Sequence, residues 1–184
     1  MPGSDMPTTV EPTTVEPNTV EPNTVEPTTV EQVSLPFCLA QAMTSAARAA
    51  FPEEACGLLS GRREGAWVHV HGVHPVVNAA VTPRTGFAIP PEHRLALTRA
   101  LRPLGQTVVG HWHSHPGGHG APSGLDGTLA AESGLVWIIV GVPAPGARAL
   151  PPRAFLALGP DTAPPDRLRP LPLRPLAPSP LING

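Results

Sequence analysis

Thr107-Val108-Val109-Gly110-His111-Trp112-His113-Ser114-His115-Pro116 is the stretch around which this chain is read. Thr107 to His113 reads as a central strand that delivers histidines at its C-terminal end. Side chains on a strand alternate between faces, so His113 and His115 project to one side and can reach one metal ion. Asp126 stands eleven residues after His115, beyond a loop rich in Gly and Pro, and offers a third ligand. Two imidazoles and a carboxylate suit Zn²⁺, and three protein ligands leave a fourth position open, as in catalytic rather than structural sites. Cys38 and Cys56 are the only cysteines, so no thiolate cluster competes.

The same residues carry a family resemblance. His113-Ser114-His115-Pro116, six residues, then Ser123-Gly124-Leu125-Asp126 resembles the JAMM (MPN+) metallopeptidase signature. Pro52-Glu53-Glu54-Ala55-Cys56-Gly57-Leu58-Leu59-Ser60-Gly61 looks like the setting of that family's upstream glutamate. The resemblance runs from about Leu35 to Leu158 and includes neither end. It implies a cytidine-deaminase-like fold and one Zn²⁺ per chain held by His113, His115 and Asp126. Glu54, two residues before the Cys56-Gly57 pair, falls at the family's general-base position, which leaves Glu53 as a solvated charge. Ser123 falls where the family helps to hold an oxyanion. Asn78 and Phe87-Ala88-Ile89-Pro90 also look like bacterial members. They read as structural, with Asn78 ordering a loop or contacting substrate.

The resemblance implies a zinc-dependent amide hydrolysis. The metal lowers the pKa of a water to roughly 7, and Glu54 takes the proton and returns one to the leaving amine. Family members include isopeptidases that cut after the C-terminal Gly-Gly of ubiquitin-like proteins. The compact bacterial branch is associated with small sulfur carriers of the ThiS/MoaD kind, releasing an amino acid such as cysteine or a C-terminal extension. A second reading is a non-catalytic MPN scaffold that binds a ubiquitin-like partner, disfavoured because every ligand is kept. A zinc nucleoside deaminase is disfavoured by the missing Pro-Cys-x-x-Cys motif.

Several residues have plainer readings. His111 could pair with His113 on one strand face, but that would leave the Ser-x-x-Asp spacing unused, so a strand histidine is preferred. His119 reads as a loop histidine, and His69, His71 and His74 as a solvated strand face. Asp126 and Ser123 could be simple helix-start residues. Ser114 reads as a local hydrogen-bonder, and Cys56 as a small core residue.

Composition bounds the rest. The chain has 184 residues and a net charge of −2, so nothing suggests a nucleic-acid or anionic-membrane partner. Two cysteines without framework spacing fit a reducing compartment. No apolar run approaches a membrane span and no signal-peptide pattern precedes the domain, which reads as cytoplasmic. Residues 7–31 are five copies of Pro-(Thr/Asn)-Thr-Val-Glu. A proline every fifth residue blocks helix and ladder alike, so residues 1–33 read as a disordered tail. A start codon downstream of Met1 is a secondary reading of the same repeats.

Residues 34–159 read as one domain of the α/β (α+β) class, a central mixed sheet flanked by helices. The spacing predicts a helix over 34–51, capped by Ser34 with Pro36 in its first turn. Strands follow over 56–61, 66–73 and 86–89, with Gly61 to Gly65 as a turn. A helix opens at Pro90 or Pro91 and stops at Gly105. A short helix is expected near 127–132, then strands over 135–141 and 153–158. Residues 160–184 hold too many prolines for an element and read as a tail.

Overall fold

The computed structural model describes residues 29–176. In chain order these form β1 (Gln32–Pro36), α1 (Phe37–Ala50), β2 (Cys56–Glu64), β3 (Trp67–Val76), α2 (Pro91–Leu101), β4 (Thr107–Pro116), α3 (Gly124–Leu129), β5 (Val136–Val142), β6 (Arg153–Ala157), β7 (Leu168–Leu171) and β8 (Leu173–Leu176). The strands make one mixed sheet in the order β7-β6-β5-β4-β2-β3-β1-β8. The histidine-bearing β4 lies centrally, antiparallel to β2 and parallel to β5. This is the α/β arrangement expected from the sequence.

Alternation divides the core between two faces. Val136, Ile138, Val140 and Val142 of β5 join Trp112, Met43 and Ala47 on the α1 side. Trp137 and Ile139 face the other way, with Phe155, Ala157 and Leu168. Each large side chain so buried contributes about 1.5–3 kcal/mol. In the ladder of β2 with β4, Leu59 opposes Gly110 while Ser60 opposes Val108, which leaves Val109 as an extra residue. This bulge puts Val109 on the α1 side although His111 and His113, at even spacing from it, stand on the other. A second bulge omits His71 between β2 and β3. Gly110 lies so close to β5 that a Cβ would stand 1.8 Å from the Val136 carbonyl oxygen. Glycine is therefore what lets β4 and β5 meet there.

Several expectations are corrected. Ser34 does not cap a helix: it lies in β1, and its hydroxyl bonds His69 Nδ1 at 2.8 Å. Val33 and Leu35 alternate into the core, so strand pairing with β3 prevails and α1 starts only at Phe37, without a side-chain cap. The sheet thus begins at Gln32, within the stretch read as tail, and Val30 is already buried. The repeats up to residue 28 lie outside the described residues. β2 continues to Glu64, and the reversal is confined to Gly65 and Ala66, with Gly65 at φ 57°. Residues 86–89 belong to no strand, although the Ala88 carbonyl accepts the Ala79 amide at 3.0 Å. The short helix starts at Gly124, earlier than periodicity placed it.

The largest correction concerns residues 160–184. Leu168-Arg169-Pro170-Leu171 and Leu173-Arg174-Pro175-Leu176 are two copies of one motif separated by Pro172, and both are strands. The first pairs antiparallel with β6 and the second parallel with β1, so one extended segment changes partner at Pro172 and joins opposite ends of the strand order. Val33 donates its amide to the Pro172 carbonyl at 3.0 Å, and Arg169 Nη2 donates to the Val30 carbonyl at 2.8 Å. Prolines are tolerated because a peripheral strand needs donors on one side only. Residues 177–184 lie outside the described residues.

This closure separates two chemically identical substitutions. Leu171 is 6% exposed and Leu176 is 47% exposed. Leu171→Asp is expected to lower the unfolding free energy by about 3 kcal/mol, and Leu176→Asp by no more than about 0.5 kcal/mol. Urea unfolding of the two variants checks this, and equal losses would contradict the closure.

Candidate active site

The C-terminal end of β4 and the start of α3 bring three candidate side chains together, and the segment before β2 adds a fourth. His113 Nε2 and His115 Nε2 lie 2.9 Å apart. The Asp126 carboxylate meets both, with Oδ1 3.1 Å from His113 Nε2 and Oδ2 3.2 Å from His115 Nε2. Donor atoms bound to Zn²⁺ at about 2.0–2.1 Å in a tetrahedron stand about 3.3 Å apart. The spacing of these three groups therefore fits such an ion. Glu54 approaches from β2's N-terminal side, one ligand atom from each of Glu54, His113 and His115 lying within 4.8 Å of the others. Its Oε2 is buried without a hydrogen-bond partner.

Burial and charge tune these groups against one another. Desolvation pushes the Glu54 carboxyl up to about 7, with the charge on Asp126 adding to the rise and that on His115 opposing it. Burial alone would also raise Asp126, but hydrogen bonds from His113 and His115 outweigh it and hold that carboxyl well below the usual range. Complete burial pulls His113 down, whereas contact with Asp126 outweighs the desolvation of His115 and raises it. The result is one carboxylate committed to the charged form and another poised near neutrality. That pair suits a cation ligand beside an acid–base group.

Local structure explains the placement. Ser123 caps α3: its hydroxyl accepts from the Asp126 amide at 3.1 Å, and its own amide donates to Asp126 Oδ2 at 2.6 Å. The Ser123 hydroxyl also donates to Oδ2 at 2.8 Å. Asp126 is thus a helix-capping residue and a site residue at once, two readings that the sequence set against each other. Glu54 is fixed by its backbone, its amide donating to the Pro83 carbonyl at 2.7 Å and its carbonyl accepting from Asn78 Nδ2 at 3.0 Å. The neighbouring Glu53 is exposed.

Asn78 uses its whole amide on the backbone. Besides Glu54 it donates to the Gly86 carbonyl at 3.0 Å, and its Oδ1 accepts from Ala80 and Ala88 at 3.0 and 3.1 Å. Of the two roles expected for it, loop ordering matches these bonds and substrate contact does not, since no donor or acceptor is left over. The loop so held carries Phe87, which stacks on His113 with ring centroids 4.4 Å apart.

Ser114 does more than bond locally. It faces away from its histidine neighbours, donates its amide to the Ala55 carbonyl and accepts the Ala55 amide on Oγ, both at 2.9 Å. It thereby ties the Glu54 segment to the strand of the histidines. Strand alternation was the available signal for it, because a residue between two that share a face must face the other side. Phe87 carried no such signal.

His111 stays outside the donor cluster. Its ring packs 4.1 Å from Trp137, and desolvation pushes it down to about 3. His119 is exposed, as a loop histidine should be. The solvated-face reading holds for His71 alone among its group, since His69 and His74 bond the buried hydroxyls of Ser34 and Ser60.

Comparison with known proteins agrees with this geometry. The family of prokaryotic homologs of the JAB domain matches residues 38–153, well over half of the chain. The chain belongs to this family. The prokaryotic JAB relatives include the desampylase of Haloferax volcanii, 35% identical over 88 residues, 48% of this chain and 62% of that one. The CysO-cysteine peptidase of Mycobacterium tuberculosis is 31% identical over 102 residues, 55% of this chain and 68% of that one. The probable TtuB-protein conjugate cleaving protease of Thermus thermophilus is 36% identical over 75 residues, 41% of this chain and 47% of that one. The match therefore spans less than two thirds of the desampylase's own length. A solution structure from Desulfitobacterium hafniense superposes with a TM-score of 0.68 at 28% identity, covering 80% of this chain and 94% of that one. Among the described residues no helix is long and apolar enough to cross a membrane.

The raised Glu54 carboxyl gives a pH-dependent signature in the metal-free protein. Its folded value of about 7 exceeds the ordinary 4.5, so the folded state binds more protons than the unfolded state between these values. Folding stability from this group is undiminished at pH 4.5 and falls as pH rises towards 7. Glu54→Gln should match the parent's melting temperature near pH 4.5 and exceed it at pH 8. A constant difference across that range would refute the buried, raised carboxyl.

Proposed function

We propose that this protein is a zinc-dependent metallopeptidase that hydrolyses an amide bond after the C-terminal Gly-Gly of a small ubiquitin-like sulfur carrier of the ThiS/MoaD type. The observation that carries the reading is the convergence of His113, His115 and Asp126 beside the buried, unpartnered Glu54 carboxylate. His113, His115 and Asp126 would hold the ion, one per chain. Zinc there would supply Lewis acidity towards a water and the scissile carbonyl.

The remaining work falls to this chain's own groups. Glu54, with its carboxyl near 7, can accept a proton from the attacking water and deliver one to the leaving amine. Its fixed backbone keeps the carboxylate aimed at the cluster, and the short bridge through Ser114 keeps that aim constant relative to the histidines. The Ser123 hydroxyl adjoins Asp126 and is the residue proposed to help hold the oxyanion, while in this structure its proton serves Asp126 Oδ2.

The names of the relatives support the substrate class, since they are a desampylase, a peptidase and a probable protease, and two of them name CysO or TtuB in what they cleave. A flexible Gly-Gly terminus suits a site sunk among buried side chains, because an extended segment without side chains passes where a bulkier one cannot. Free Cys38 and Cys56 accord with a reducing, cytoplasmic setting.

The test joins metal content to cleavage. A ThiS/MoaD-like carrier extended beyond Gly-Gly should be cut after Gly-Gly by the zinc-loaded parent and spared after chelation. Glu54→Gln should retain about one zinc per chain yet lose at least about 10²-fold in turnover, while His113→Ala should lose both. Unimpaired cutting by Glu54→Gln would remove Glu54 from the mechanism. Zinc binding without any cutting would turn the assignment towards a scaffold that only binds the carrier.

A further inference from the structure

The helix that carries Asp126 has six residues, too few to be stable by itself. Its ends must be held by other groups. Ser123 and Asp126 close the N-terminal end reciprocally. At the other end the last carbonyls lack partners within the helix, and the last turn contains no basic residue. Ala130 donates its amide to the Asp126 carbonyl at 2.9 Å. The Gly127 and Thr128 carbonyls are instead met by Nη1 of Arg167, at 3.4 and 3.3 Å.

That guanidinium is fixed on its other sides too. Its Nε donates to the Thr162 carbonyl at 2.7 Å and its Nη2 to the Pro160 carbonyl at 3.2 Å. A permanent cation is thus locked at the negative end of α3, where it both satisfies orphan carbonyls and opposes the helix dipole. A second contact presses the same helix onto the same segment. Gly127, adjacent to Asp126, lies so close to Pro164 that a Cβ would stand 2.1 Å from its carbonyl oxygen. Residues 160–167 lie beyond the stretch matched by the family, which ends at 153.

We propose that Arg167 is a positioning residue for the metal site: by capping α3 and seating Gly127 on the Pro164 backbone, it aims the Asp126 carboxylate and sets the site's affinity for a divalent cation. The proposal rests on reading His113, His115 and Asp126 as the ligands. Lysine cannot replace arginine fully here, because a planar fork of five donors serves four carbonyls and an ammonium has three donors on one atom. Gly127→Ala gives an opposite sign to the two simplest accounts. Helix propensity alone favours alanine and would tighten α3, whereas the seat on Pro164 has no room for the methyl group.

The test uses the full chain, stripped of metal and titrated with Zn²⁺ against a chromophoric chelator, alongside the visible spectrum of the Co²⁺-loaded protein. Arg167→Met and Gly127→Ala are each expected to weaken Zn²⁺ binding about 10–100-fold and alter the Co²⁺ bands. Arg167→Lys should fall between them and the parent, and the loss of affinity in each variant should exceed what the lowered unfolding midpoint of its metal-free form accounts for. Parent-like affinity in both Arg167→Met and Gly127→Ala overturns the proposal, as does an affinity that falls only in step with the midpoint. If Arg167→Met does not fold, Gly127→Ala and Arg167→Lys decide by the same criteria. A parent that takes up no Zn²⁺ refutes the ligand reading itself and the proposal with it, whereas a parent that binds beside unaffected variants refutes the proposal alone.

Discussion

The contact between Asp126 and the two imidazoles is the interaction on which the rest of the arrangement depends. Three polar groups stand about 3 Å apart in a place almost sealed from water, where unmatched charge is costly. Every nearby element serves that contact. Parallel pairing with β5 and antiparallel pairing with β2 fix the end of β4, and the capping of α3 fixes the carboxylate. The same contact acts on Glu54, whose desolvation is aggravated by the charge on Asp126 and relieved by that on His115. A carboxyl near 7 is thus a property of the assembled site and not of residue 54.

The candidate site is held by contacts that lie outside His113, His115 and Asp126 themselves. Ser114 and Asn78 each convert a side chain into a bridge between backbones, and the whole Asn78 amide is used in this way. Ser114 joins the segment of Glu54 to the histidine strand, and Asn78 joins it to the loop that lays Phe87 on His113. Such bridges hold catalytic groups within the small tolerances that proton transfer requires.

Much of this was legible in the sequence where a local period governs. Alternation along 107–116 gave both the strand and the shared face of His113 and His115, and the spacing to Asp126 singled out the third group. The choice of Glu54 over Glu53 came from resemblance, and burial separates them in the same sense. What remained hidden depends on contacts between distant residues. Ser34 looks like a helix cap until β3 is present to pair with its strand. Asn78 was expected to order a loop or contact substrate, and only the folded chain shows the four backbone groups that converge on it. The proline-rich segment after residue 160 looks structureless because a one-dimensional reading counts missing donors, whereas a strand at the periphery of a sheet uses donors on one side only.

The partner change at Pro172 also fixes the polarity with which the two ends of the sheet leave it. β1 runs parallel to β3, and β3 parallel in direction to β4 through the shared antiparallel neighbour β2. The chain therefore enters the sheet at Gln32 from the pole opposite His115. β8 runs parallel to β1, so the described chain enters and leaves the sheet travelling in the same direction. Closing the strand order therefore needs no turn, because β7 and β8 point the same way with a single proline between them.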